Sequence, residues 1–357
     1  MRVMVALSGG VDSAVAALLL KQQGYDVRAA YMKTWMNEEA ADFMGDCPWH
    51  EDLRDAEAVA KKIGIDFEVV DFIKEYREQI VDYMVDEYKN GRTPNPDVMC
   101  NRRMKFGKFL DYAKSVGCDT VATGHYCASA ENSDGSKDLL MGADPSKDQS
   151  YFLAMITSEQ LAHAMFPIGG IIKSEVRDIA RMNALPNAEK KDSQGICFLG
   201  KVKIQDFLKN FIAEKPGDII NAQDKILGTH KGLFNYTIGQ RKGIGVPSNT
   251  DNKSYVVTAK DFKNNILKID FDNPDSQDLW KSEAIVDSIN WINKKLTAPQ
   301  KLHVRVRYRD PLIPAEFIPL ENNRALIKFD TPQRAIASGQ ILAVYSGKIL
   351  LGGAIYV

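Results

Sequence analysis

"MRVMVALSGGVDSAVAALLLKQQG" occupies residues 1–24 and reads as a buried strand, a loop and a helix. The run Val3 to Leu7 is apolar without alternation, as in a strand covered on both faces. Ser8-Gly9-Gly10-Val11-Asp12-Ser13 follows, and Ser13 to Gln23 has the apolar content of a helix. Two glycines let the backbone pass close to a ligand. The N–H groups of the loop and helix N-terminus form a positive nest suited to phosphate. The loop lacks the Lys-Ser/Thr of a Walker A sequence and is not a G-x-G-x-x-G fingerprint. Its plainer reading is a strand-to-helix turn capped by Ser or Asp.

Three more apolar runs, Val27 to Met32, Phe67 to Val70 and Thr120 to Thr123, alternate with helical stretches at Asp55 to Lys62, Glu75 to Tyr88 and Phe106 to Val116. That alternation predicts a parallel sheet with helices on both faces. From Lys215 onward turn signals become dense, in KPGD, GTHKG, IGQRKGIG, DNPDS and YSGK, so short strands dominate. The stretch Pro299 to Val357 reads as a small barrel. The expected organisation is α/β: a nucleotide-binding domain over residues 1–200, a small mixed connector over 201–280 and a β-barrel over 281–357.

A chain of 357 residues with 45% hydrophobic content can bury more than one core. No apolar run approaches the roughly 18 residues of a membrane span, and the apolar start is too short for a secretory signal, which predicts a cytoplasmic protein with no membrane contact. The five cysteines, at 47, 100, 118, 127 and 197, include no C-x-x-C pair, which argues against a disulfide scaffold, a zinc ribbon or an iron–sulfur cluster. No metal ligand set is expected. Cys118 and Cys127 read as small buried hydrophobes, and Cys47, beside Asp46 and His50, stays undecided. The net charge of −1 hides an asymmetry. Residues 281–357 hold 11 Lys and Arg against 6 Asp and Glu, leaving 35 against 41 for the rest. That excess suits a polyanion or a solvated face.

Two longer resemblances bear on function. SGGVDS is similar to the pyrophosphate loop of the N-type ATP pyrophosphatases, an adenine nucleotide alpha hydrolase-like fold whose members activate a carbonyl oxygen by adenylation. The set ALSGGVDS, NPDVMCNRRMKFG, ATGHY, DQSYFL, KKDSQGICFLG and FNYTIGQRKGIG, in that order and from end to end, resembles the tRNA-specific 2-thiouridylases of bacteria and organelles.

The resemblance implies ATP-dependent 2-thiolation of the wobble uridine of Lys, Glu and Gln tRNAs, with AMP and pyrophosphate released. It implies that ATP, assisted by Mg²⁺, meets Ala6, Leu7, Ser8, Gly9, Gly10, Val11, Asp12, Ser13, Met32 and Gly124. It assigns a persulfide to Cys197 and the partner thiol to Cys100, with the sulfur delivered by a carrier protein or cysteine desulfurase. The chemistry fits: an adenylated C2 oxygen leaves as AMP, a Cys–S–S⁻ group attacks C2, and a second thiolate cleaves the S–S bond. Arg102, Arg103 and Lys105 would favour that thiolate and meet RNA phosphate. Asn95, Pro96 and Asp97 would meet the target base. A carboxylate at Asp97 suits proton transfer there and equally a helix cap.

Contacts to tRNA are further implied for His125, for Lys147, Asp148 and Gln149, and for Arg307, Tyr308 and Gln340. LHVRVRYR (302–309) alternates, so His303, Arg305, Arg307 and Arg309 are expected as an outward basic stripe. The target base would be flipped from its stack, and the KKDSQGICFLGK stretch is expected as a loop closing over the site. Two other classes share parts of this pattern. A small-molecule ligase would carry the phosphate loop but need neither the cysteine pair nor a basic barrel, and a passive tRNA or sulfur carrier would not need the loop.

Overall fold

β1 (Arg2–Ala6) lies inside a five-stranded sheet in the computed structural model, which describes residues 1–34, 49–192, 203–247, 253–273 and 277–357. β2 (Asp26–Lys33) and β3 (Asp66–Asp71) extend the sheet on one side, and β4 (Thr120–Ala122) and the short Ala164–Met165 strand on the other, all parallel. Val3 and Val5 pack into one core with Ala14, Val15, Val59 and Val176, while Met4 packs into the opposite core with Ile80, Val98 and Phe109. A strand buried on both faces needs no polar residue, which is why β1 reads as an unbroken apolar run. The chain steps outward from β1 to β2 and β3, then returns to β1's other edge as β4. The loops after β1 and β4 therefore open at the switch point where open α/β sheets hold ligands.

The helices differ from expectation at one important place. Residues 96–115 form one continuous helical run instead of a helix beginning at Phe106: an α turn at Pro96–Cys100, a π-helical stretch at Asn101–Lys108 and an α-helix at Phe109–Ser115. Pro96 occupies the first helical position, where its missing N–H costs nothing and its fixed φ is helical. The NPD segment is thus a helix start. Asn95 is its N-cap, accepting from Val98 N at 3.2 Å, so the capping role considered for Asp97 falls to Asn95.

β5 (Cys127–Glu131) and β6 (Lys137–Met141) form a hairpin that leaves the first sheet and joins the barrel sheet through β6. The connector holds a mixed four-stranded sheet of β8 (Gly217–Ile220), β9 (Ile226–His230), β10 (Tyr255–Asp261) and β11 (Ile266–Phe271), with β8 and β11 parallel. Lys260 of β10 ties it to the catalytic domain, donating to the carbonyls of Gly91 (2.8 Å) and Tyr236 (3.1 Å). The barrel runs β12 (Trp280–Trp291), β13 (Gln300–Arg305), β14 (Ile313–Leu320), β15 (Arg324–Arg334), β16 (Ile341–Ser346) and β17 (Ile349–Tyr356), and closes by β12–β17 pairing.

The expected basic stripe needs correction. Leu302, Val304 and Val306 are buried as expected, but the strand stops at Arg305, and residues 306–309 form a turn. Arg305 is itself buried and paired with Asp148 at 2.6 Å. Alternation puts Arg305 on the barrel's outer face, and that face is covered here by the segment around Asp148. Cys118 and Cys127 are buried, as expected, and burial pushes both thiols up.

Two outcomes follow from these junctions. Removing one partner of a buried ion pair strands the other charge, so Asp148→Ala should cost about 3–5 kcal/mol in denaturant unfolding, and pairing it with Arg305→Met should recover most of that loss. Simple additivity would show that the two charges do not interact. Burial lowers the Lys260 amine from 10.5 to about 8. Between about pH 8 and 10.5 the unfolded chain binds more protons at this group, so stability relative to Lys260→Gln should rise with pH across that window. A flat difference would place Lys260 in water.

Candidate active site

The loop after β1 is built for an anion. Helix α1 (Val11–Gln22) begins at Gly10, whose side is bare, and no side chain caps its first turn. The Ser or Asp cap of the plainer reading is absent, and the first N–H groups of a twelve-residue helix are left without a side-chain partner. Ser13 is turned inward instead: its hydroxyl donates to Gly10 O at 3.1 Å and accepts from Ser8 N at 3.2 Å, closing the loop on itself. Gly9 has φ +78°, and a Cβ there would lie 2.1 Å from the Asp52 carbonyl oxygen. Asn187 donates to Gly9 O at 2.8 Å, while its Oδ1 is buried with no hydrogen-bond partner among the described residues. Gly124, after β4, abuts the same loop: a Cβ there would sit 2.7 Å from backbone atoms of Asp12 and Ser13.

Around the loop stands a group of cations, Lys147, expected at tRNA, with Lys173 and Arg177, which the sequence reading missed. Lys173 Nζ lies 2.7 Å from Asp12 Oδ1 and 2.8 Å from Asp192 Oδ1. Asp192 also pairs with Arg177 at 2.9 Å and Lys147 at 3.0 Å. Burial raises the Asp192 carboxyl, but hydrogen bonds from Lys173 and Lys147 outweigh it and bring the group down to about 2. Tyr126 donates to Asp12 Oδ1 at 2.7 Å, and burial, followed by the Asp12 charge, raises its phenol. One signal was available: Lys173 opens the helix Lys173–Met182, where a cation opposes the helix dipole and so demands another reason to be there.

Cys100 closes the first α turn behind Asn95 and Pro96. It is 6% exposed and packed in the core that holds Met99, Met104 and Tyr151. Arg103, expected beside the thiol, instead donates to Gln79 O at 2.8 Å and lies over the Tyr83 ring. The segment before the helix is fixed to the barrel: Gln340 Nε2 donates to Thr93 O (2.7 Å) and Pro94 O (3.2 Å). The Tyr308 ring lies against Phe152 at 4.3 Å, tilted by 46°, and the Phe152 carbonyl accepts from Asn101 Nδ2, so Tyr308 is connected to the thiol's helix through Phe152 and Gln340 through the two residues before its cap.

Lys147, Asp148 and Gln149 point to three different places. Lys147 joins the cations through Asp192, Asp148 enters the barrel junction, and Gln149 Oε1 accepts from Tyr126 N at 3.0 Å. Asp148 and His125, both expected at tRNA, are buried, at 4% and 8% exposure. His125 Nδ1 meets Thr123 Oγ1 at 2.7 Å, and burial, then Lys105, keeps its ring well below the usual range and neutral. Arg307 is half-buried, with its guanidinium on the Ala335 carbonyl.

Three family descriptions match in series: the tRNA methyl transferase HUP domain over residues 1–201, the tRNA methyl transferase PRC-barrel domain over 205–270 and the aminomethyltransferase beta-barrel domain over 281–356. The tRNA-specific 2-thiouridylase MnmA of Akkermansia muciniphila is 48% identical over 99% of this chain and 98% of its own. The proteins of that name from Pseudomonas paraeruginosa (42%; 99% and 94%) and Methylobacillus flagellatus (43%; 99% and 98%) are also similar over nearly their whole lengths. The chain belongs to the tRNA-specific 2-thiouridylase family.

Of the two cysteines that family resemblance pairs, Cys100 is placed and Cys197 lies outside the described residues, as does Cys47. Asp192 is the last described residue before the segment holding Cys197. Of the residues expected at ATP, Ala6 and Leu7 lead into the loop, Gly124 touches it, and Met32 is the last residue but one of β2, the strand paired to β1. A bare helix N-terminus, two glycines that a Cβ would obstruct, and Lys147, Lys173 and Arg177 fit a polyphosphate. Among the described residues no group of three His, Cys, Asp or Glu side chains could hold a metal ion, so Mg²⁺ would be held largely by the phosphates, with Asp12 the carboxylate that the loop itself supplies.

Gly124→Ala and Lys173→Met should each weaken ATP binding, measured by calorimetry, by about tenfold or more, roughly 1.4 kcal/mol. Unchanged affinity in both, with the fold intact by circular dichroism, would remove the phosphate from this loop.

Proposed function

We propose that the protein is a tRNA-uridine 2-sulfurtransferase that converts the wobble uridine of Lys, Glu and Gln tRNAs to 2-thiouridine. The uridine C2 oxygen attacks the α-phosphorus of ATP held at Ser8 to Ser13 with Mg²⁺, and pyrophosphate leaves. A persulfide on Cys197, delivered by a carrier protein or desulfurase, attacks C2 through its terminal sulfur, and AMP departs with the former C2 oxygen. The Cys100 thiolate then attacks the Cys197 sulfur, releasing the 2-thiouridine and leaving a Cys100–Cys197 disulfide for a thiol reductant to reset.

What carries this reading is the fastening of the thiol's helix to the barrel. Gln340 holds the carbonyls just before Asn95, so the base-meeting segment, Cys100 and the barrel meet at one place. A small-molecule ligase has no use for that connection. The methyl-transfer wording of the family descriptions is supported less well, because methyl transfer calls for neither a triphosphate cradle nor a second thiol.

The test separates activation from sulfur transfer. Pyrophosphate release should depend on unmodified tRNA. Cys197→Ser should retain that release and lose thiolation, and Cys100→Ser should lose turnover with protein-bound persulfide. In the wild type, one turnover without reductant should trap a Cys100–Cys197 disulfide, visible by peptide mass spectrometry. Wild-type thiolation by both serine variants would overturn the two-thiol mechanism, and tRNA-independent release would favour the ligase.

A further inference from the structure

The least restrained part of the phosphate loop is the peptide between its two glycines. The dihedrals on both sides of that bond belong to residues without a Cβ, so the Gly9–Gly10 peptide plane meets less steric resistance to rotation than its neighbours. In a trans peptide the C=O and the following N–H point to opposite sides. Whatever holds the Gly9 oxygen therefore also aims the Gly10 N–H. The next peptide is aimed from inside the loop, where the Ser13 hydroxyl donates to Gly10 O at 3.1 Å. Gly9 O is held from outside, by Asn187 Nδ2 at 2.8 Å, across 178 residues of sequence.

Asn187 sits in a turn that is itself fastened. Lys190 N donates to Asn187 O at 3.0 Å, and Arg177 Nη1 donates to the next carbonyl, Ala188 O, also at 3.0 Å. Lys190 Nζ pairs with Asp52 Oδ1 at 2.6 Å and with Asp55, both on the helix Trp49–Ile63. The carbonyl of that same Asp52 leaves no room for a side chain at Gly9. Asp52 thus bounds the loop on one side and anchors the turn that grips it. Asn187 is 4% exposed, and its Oδ1 has no hydrogen-bond partner among the described residues. The amide's direction is set by chemistry, since the reverse orientation would place oxygen against the Gly9 oxygen. An amide buried with its acceptor unused is costly, and an apolar side chain of similar size would fill the space without that cost. Packing does not account for an asparagine here, and the bond to Gly9 does.

We propose that Asn187 is a positioning residue of the ATP site: its amide locks the Gly9–Gly10 peptide in the orientation that makes the Gly10 N–H a donor to the phosphate chain. The proposal rests on the reading of Ser8 to Ser13 as the phosphate loop. Asn187 acts through that loop and needs no contact with the nucleotide. A donor already aimed when ATP arrives requires no reorganisation, whereas a free glycine–glycine peptide would have to be turned and held.

The experiment compares Asn187→Leu with the wild type by calorimetry, using ATP and adenosine as separate probes. Leucine keeps the volume and removes the amide. The unfolding midpoint should therefore hold or rise, while ATP binds on the order of tenfold more weakly, the value of about one hydrogen bond to a charged group. Adenosine affinity should not change. Asn187→Ala, which asks less of the packing, should show the same split if the leucine variant does not fold. A purely structural role would instead lower the unfolding midpoint and weaken both probes alike. That result overturns the proposal, as does an unchanged ratio of ATP to adenosine affinity in a folded variant, although the loop would remain the phosphate site. If the wild type itself binds adenosine as tightly as ATP, the phosphate reading of the loop fails, and the role of Asn187 with it.

Discussion

The buried ion pair between Asp148 and Arg305 holds the two halves of this molecule in one register. Its side chains are 1% and 8% exposed, and each charge would be costly alone in that environment. Asp148 is saturated by further donors, from Gly142 N, Ser150 N and the Ser150 hydroxyl at 3.0–3.1 Å, and Arg305 lies over the Tyr345 ring. A charge so fully hydrogen-bonded has one low-energy position. The pair is one of several fastenings of the barrel to the first domain, with Gln340 on Thr93 and Pro94 another, and the β5–β6 hairpin, paired to β17, continues the barrel sheet into that domain. Pairs of this type add little net stability relative to well-packed apolar residues, and here the pair fixes geometry.

That geometry matters because the neighbours of Asp148 in sequence serve the phosphate loop. Lys147 reaches Asp192 and Gln149 reaches Tyr126, which holds Asp12. Three consecutive residues thus join the barrel junction to the nucleotide end of the sheet. Lys147, Lys173 and Arg177 repel one another, and Asp192 lets them share a small volume, as its depressed pKa of about 2 reflects. A polyphosphate would meet cations already gathered, with little reorganisation needed.

How much of this was legible in the sequence depended on whether the signal was local. The loop Ser8 to Ser13 was, because its glycines and the flanking strand and helix all lie within 24 residues. The parallel sheet followed from apolar runs long enough to be buried on both faces. The helix at Pro96 was misread because Pro94 and Pro96 signal a turn, and only the Asn95 cap reveals Pro96 as a first helical residue. The stripe at 302–309 failed for another reason. Alternation assigns a side chain to a face of a strand, but what covers that face is decided by a segment about 157 residues away. Lys173 was missed because ion pairing with Asp12 spans 161 residues, which no window registers.

The same distinction explains why Cys100 was found and its surroundings were not. A cysteine in NPDVMCN is visible at once, and the expectation of basic neighbours favouring its thiolate followed from Arg102, Arg103 and Lys105 being next in the chain. In a helix, adjacent residues point about 100° apart, and the π-helical widening from Asn101 onward, with more residues per turn, changes that spacing again. Arg103 consequently faces Gln79 and Tyr83. The thiol lies in the packed core, in the first turn of a helix whose preceding residues, Thr93 and Pro94, are tied to the barrel. Sequence adjacency to arginine therefore does not place a guanidinium on the thiol: side-chain direction along a helix, which the order of residues alone does not display, decides what Arg103 meets.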